Sequence, residues 1–203
     1  MKANSAIRRK GSVRSSAAKH GGAELEDTSA VEASSAGINE ASVNRRILGI
    51  DPGLANTGWG ILDNINGRIR YIAHGIIQTK NDIPRAKRLF FILQSIRQVI
   101  DKYEPAEAAI ENLYFGRNVS SAIPVAEARG VISAAIAERG IPLHELTPNI
   151  IKLGVTGHAG AGKKQVQEMI KIILGLDKVP KPEHAADALG AAICASNNPM
   201  SAL

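Results

Sequence analysis

Between Arg46 and Thr79 the chain carries three short apolar runs, "ILGID", "TGWGIL" and "IRYIAHGIIQT", separated by Pro52-Gly53 and by Asn64 to Gly67. Beyond them the apolar period changes from strand-like to helical. Three runs joined by turns too short for a crossover predict an antiparallel meander. Next, "IPRAKRLFFILQSIRQVIDKY" spaces Leu89, Ile92, Leu93, Ile96, Val99 and Ile100 along one face of an amphipathic helix of about 18 residues. "EAAIENLYF" reads as a strand running into a loop, "SSAIPVAEARGVISAAIAERG" as a helix in two pieces around Pro124, and "IPLHEL" as a short strand. "TPNIIKLG" opens a helix, with Thr147 as N-cap and Pro148 at the first helical position. A Gly-rich loop, 154–162, leads to the helix "KKQVQEMIKIILGL", closed by Gly175, and a last helix runs from near Pro182 to about Ser196. The order βββαβαβααα predicts an α/β fold: a five-stranded mixed sheet, its first three strands antiparallel, flanked by helices on both faces.

Residues 1–44 are rich in Ser, Ala, Gly and charge and hold no aromatic residue, so they predict a disordered extension. Its first 22 residues carry six basic and no acidic side chains, a pattern shared by organelle transit peptides and DNA-tethering arms. The folded domain is expected over 45–198, with a short tail at 199–203. That remainder of the chain, 45–203, has nineteen Lys/Arg against fourteen Asp/Glu, and a basic balance suits a polyanionic partner. No apolar run approaches the roughly 18–20 residues of a membrane span, and the N-terminus lacks the apolar region of a secretory signal. A soluble, cytoplasmic protein is expected, and the single cysteine, Cys194, reads as a small core residue.

Acids at strand ends carry the chemistry. An unpaired buried carboxylate is costly, yet Asp51 ends the first strand and Glu111 the fourth. Each alone has an ordinary explanation, an Asx-turn for Asp51 and a strand end for Glu111. "KPEHAADALGAAI" adds His184 and Asp187, three apart and hence on one helical face, on a helix whose small alanine surface can lie close to a sheet. Glu183 reads as a first-turn acid favoured by the helix dipole. Asp51, Glu111, His184 and Asp187 together would place three carboxylates and an imidazole at one point, a donor set suited to Mg²⁺ or Mn²⁺. Two such ions can activate water against a phosphodiester, which makes nucleic acid the expected polyanion.

"ILGIDPGLANTGWGIL", "AAIENLYFGRN", "EARGVI" and "HAADALGAAI", in that order, resemble the RuvC family of bacterial Holliday-junction resolvases over residues 46–197. The resemblance implies an RNase H-like fold and a homodimeric endonuclease, with two Mg²⁺ per subunit (Mn²⁺ substituting), that nicks two symmetry-related strands of a four-way DNA junction in recombination and repair. It also implies work alongside the branch-migration proteins RuvA and RuvB. Its catalytic and metal-binding acids fall on Asp51, Glu111 and Asp187, and its fourth metal position, an aspartate in many relatives, on His184. The family's base-stacking aromatic aligns with Tyr114; Phe115 is either a second stacking residue or core. Arg117 and Asn118 are candidate phosphate contacts, and Lys152 and Lys163 match basic positions near the cleaved strand. Lys164 is a further candidate for DNA, or a solvated lysine. Helix 119–139, through Ala122, Ala126, Val131, Ala134 and Ala135, would pack on a symmetry mate or only on its own sheet.

"GHAGAGKK", 157–164, imitates a phosphate-binding P-loop but has Lys164 where the Mg²⁺-binding hydroxyl belongs, and a helical segment upstream where a strand belongs. Two rival readings remain: a nuclease of the same fold acting on RNA or an RNA:DNA hybrid, and a junction-binding module without catalysis.

Overall fold

The structure is a computed structural model that describes residues 25–27, 45–112 and 119–197, without the side chains of 25–27 and 119–121. In chain order the elements are β1 (Leu25–Asp27), β2 (Arg45–Asp51), β3 (Asn56–Ile65), β4 (Arg68–Gln78), α1 (Arg85–Tyr103), β5 (Glu107–Glu111), α2 (Val119–Glu138), β6 (Leu143–Leu146), α3 (Pro148–Thr156), α4 (Lys163–Ile173) and α5 (Glu183–Asn197). The sheet order is β1-β4-β3-β2-β5-β6. β2, β3 and β4 form the antiparallel meander; after helical crossovers β5 joins β2 in parallel and β6 joins β5 in parallel. The β3–β4 hairpin turns at Asn66 (φ 52°) and Gly67 (φ 82°), both left-handed as a tight hairpin requires, and Asn64 Oδ1 accepts the Gly67 N–H at 2.9 Å.

Strand alternation divides the core into two layers. Leu48, Ile50, Trp59, Ile61, Ala108 and Ile110 point to the α1/α2 side. Ile47, Leu62 and Ala109 point to the other, where α3, α4 and α5 lie. By the same period-2 count, Gly49, Asp51, Gly58, Gly60 and Glu111 also face α5.

α5 sits on this glycine floor. Ala185, Ala186, Ala188, Ala191 and Ala192 are fully buried. A Cβ on Gly49 would collide with the Ala188 carbonyl oxygen, one on Gly58 with the His184 carbonyl oxygen, and one on Gly60 would come within 2.7 Å of Leu189 Cδ2. Helix and sheet therefore approach at backbone distance. The far end of α5 is tied down by Asn64 Nδ2, which donates to the Ser196 carbonyl (3.1 Å) and hydroxyl (2.9 Å), and by Arg45, which donates to the same carbonyl at 2.9 Å.

Four expectations change. The sheet gains a sixth strand: Leu25–Asp27, inside the segment expected to be disordered, pairs antiparallel with β4. The unpaired N–H and C=O groups along the outer edge of β4 accept such a segment readily. The rest of 1–44, and the tail 199–203, lie outside the described residues. The segment 119–138 is one helix through Pro124 rather than two pieces; a proline there removes one intrahelical bond, while Ala128, Ile132, Ala135 and Ile136 remain packed in the core. The Gly-rich loop is shorter than 154–162, because α3 continues to Thr156 and ends at Gly157 (φ 74°). Gly154 is helical, its missing side chain leaving room for Cys194 Sγ 2.7 Å from where a Cβ would stand.

Gly49→Ala is expected to destabilise the fold by about 1–3 kcal/mol, since the added methyl has backbone rather than flexible side chain to displace. Urea denaturation midpoints compared with wild type measure it.

Candidate active site

Ile50 of β2 stands opposite Ile110 of β5, so the next residues, Asp51 and Glu111, end adjacent parallel strands side by side on the α5 face. Beyond Asp51 the chain must turn at once. Pro52 and Gly53 start the turn, the Thr57 hydroxyl donates to the Gly53 carbonyl at 2.7 Å, and a Cβ on Gly53 would collide with the Asn56 carbonyl oxygen.

α5 supplies the other two groups. Its first turn overlies Gly58, which is paired with Asp51 across the ladder. His184 therefore stands over the strand end, with Nδ1 2.7 Å from Asp51 Oδ2. Asp187, three residues on, occupies the same helical face, and Lys163 Nζ lies 3.2 Å from its Oδ2. Lys163 also pairs with Glu183. Beside these groups is a cavity of about 200 Å³ with Glu111, Asp187, Lys152 and Lys163 on its polar side and Ile151 and Val166 among its apolar walls.

The electrostatics match three acids brought close. Burial first, then the charges of Asp51 and Asp187, push Glu111 up to about 7, against the opposing pull of Lys163 and Lys152. Burial also raises Asp187, opposed chiefly by Lys163. His184 is raised by its hydrogen bond to Asp51, burial acting the other way. Two lysines thus offset only part of the negative charge. Hard carboxylate oxygens with one imidazole, under-neutralised as they stand, fit a divalent cation, and Asp51, Glu111, His184 and Asp187 are the residues that would hold it. Among the described residues no three such donors are yet closed around a single point.

The structure thus brings together Asp51, Glu111, His184, Asp187, Lys152 and Lys163. Lys164, the second residue of α4, is exposed and does not line the cavity. Tyr114, Phe115, Arg117 and Asn118 lie outside the described residues. The segment feeding the P-loop imitation is helix α3, as expected. Glu183, assigned from sequence to the helix dipole alone, has a lysine partner delivered by a separate helix.

A sequence model of one family, described as crossover junction endodeoxyribonuclease RuvC, matches residues 47–195. A protein of that name from Treponema denticola is 50% identical over 151 residues, covering 74% of this chain and 85% of the relative. Another from Chloroflexus aurantiacus is 46% identical over 149 residues, covering 73% and 91%. The solved structure of Thermus thermophilus RuvC in complex with Holliday junction substrate superposes with a TM-score of 0.71 at 30% identity, covering 74% of this chain and 92% of that one.

The raised Glu111 carries a stability consequence. The unfolded carboxyl loses its proton near pH 4.5 and the folded one near 7, so this group's contribution is fully present below the first value and is lost as pH rises through the second. In a chelator, the stability of Glu111→Gln relative to wild type is expected to rise by on the order of 1–3 kcal/mol between about pH 5 and about pH 8, read from denaturation curves. A difference independent of pH would contradict the shift.

Proposed function

The chain belongs to the RuvC family of crossover junction endodeoxyribonucleases, and on that footing we propose that it is a Holliday junction resolvase, a metal-dependent endonuclease that nicks two symmetry-related strands at a four-way DNA junction. One observation carries the reading furthest: Asp51 and Glu111 end neighbouring strands on the face where α5 presents His184 and Asp187. Glu111, a strand-end acid under a helix of alanines, serves no stabilising purpose as a carboxylate, since it is held well above its usual range.

Asp51, Glu111, Asp187 and His184 are the proposed metal-site and catalytic residues, with two Mg²⁺ per subunit and Mn²⁺ as the substitute. When bound, such ions supply Lewis acidity to the phosphodiester and to the attacking water. The chain's own groups do the rest. Asp51 fixes the imidazole of His184 through its 2.7 Å hydrogen bond. Lys152 and Lys163 place positive charge in the cavity wall, where a strand phosphate is drawn in and charge developing on it is offset. Ile151 and Val166 keep that side of the cavity apolar, which strengthens these attractions.

The two-fold symmetry of the substrate calls for an isologous dimer. Ile123, Ala126, Gly130 and Ala134 are exposed along α2 and suit such a contact, whereas Ala135 is committed to the core of its own subunit. Tyr114 is proposed to stack on a base opened at the junction centre, with Phe115, Arg117, Asn118 and Lys164 as further DNA contacts. Cooperation with RuvA and RuvB, in the cytoplasm, completes the proposal; among the described residues no helix is long and apolar enough to cross a membrane.

Cleavage of a mobile four-way junction with Mg²⁺, against linear duplex and RNA:DNA hybrid of the same sequence, tests it. The junction is expected to be cut in preference. Asp51→Asn is expected to lower cleavage more than about a hundredfold while junction affinity stays close to wild type. Preferred cutting of the hybrid would favour the RNA-directed rival, and junction binding with no cutting by wild type would favour the binding module.

A further inference from the structure

Glu183 is left without a task by the metal-centred site. It precedes Asp187 by four residues on α5, so the two carboxylates share one face of the helix on successive turns. The Lys163 ammonium stands between them, paired with Glu183 and 3.2 Å from Asp187 Oδ2. Asp187 belongs to the cavity wall, with its side chain 24% exposed. Glu183 is at the rim, 56% exposed. Lys163 is the first residue of α4, so its backbone is held by a separate helix while its side chain chooses between the two acids.

A divalent ion taken up by Asp187 and an ammonium on the same carboxylate repel each other, so metal uptake weakens the hold of Asp187 on Lys163. We propose that Glu183 is the positioning residue that receives it. In the metal-free protein it shares Lys163 with Asp187; once Asp187 is committed to metal, it keeps the ammonium at the cavity rim, facing the strand to be cut, instead of releasing it to solvent. This rests on the reading of the site as a metal-dependent nuclease centre. The ordinary roles of a first-turn glutamate, favouring the helix dipole or adding negative potential near the cation, operate without Lys163. The two accounts therefore differ in whether the effect of Glu183 depends on that lysine.

A double-mutant cycle on the full chain reads this directly, using Mn²⁺ binding without DNA, followed by the paramagnetic signal of free Mn²⁺. Lys163→Met alone is expected to tighten binding, because the competitor for Asp187 is removed. Glu183→Gln is expected to weaken it about two- to fivefold when Lys163 is present, and less than about 1.5-fold in the Lys163→Met background. Glu183→Asp, which keeps the charge, is expected to restore most of the affinity. Equal factors in the two backgrounds, or no effect in either, overturn the proposal. If those equal factors accompany normal Mn²⁺ uptake and junction cleavage, only the role of Glu183 falls. A wild type that binds no Mn²⁺ removes the nuclease centre and this inference together.

Discussion

The contact between α5 and the bare backbone of β2 and β3 is the constraint on which the other features depend. Gly49, Gly58 and Gly60 leave no room for a side chain beneath the helix, and the helix answers with alanines. Alanine buries little apolar area per residue, so this interface gains its energy from closeness of fit over several turns. Its ends are fixed by polar contacts: Ser196 is held by Arg45 and Asn64, and His184 by Asp51. One methyl in the floor would lift the helix, and His184 and Asp187 on its first turns would move with it.

That seating has an electrostatic cost. It brings Asp187 toward Asp51 and Glu111, and the resulting field, added to burial, shifts Glu111 up to about 7. Lys163 and Lys152 relieve part of the repulsion without cancelling it. A fold selected for stability alone would place apolar residues at these strand ends. The local conflict between acid and environment marks these strand ends as a candidate functional site.

Much of this was legible in the sequence because the informative signals were local. Asp51 and Glu111 each end an apolar run that reads as a strand, and three-residue spacing set His184 beside Asp187. What escaped depended on contacts between distant segments. Gly154 was assigned to a loop by its neighbours in sequence, yet it lies within α3, where Cys194, forty residues away, takes the space of its absent side chain. Pro124 marked a break that the packing of Ala128 and Ile132 overrides. β1 has too little apolar character to signal a strand and depends on the open edge of β4. Glu183 was assigned to its own helix, since nothing near it in sequence reveals that α4 delivers Lys163 to its side.

By seating α5, the glycine floor sets where His184 and Asp187 stand over the strand ends. Gly58→Ala tests it most directly, because the new methyl would press on the His184 carbonyl at the strand end nearest Asp51. The measurement is the single-turnover rate of junction cleavage at saturating Mg²⁺, at a temperature where circular dichroism reports the variant folded. A fall of about a hundredfold or more is expected, as a displacement near 1 Å at reacting groups produces. Cleavage within a few-fold of wild type would mean that the seating of α5 does not set the geometry of the site.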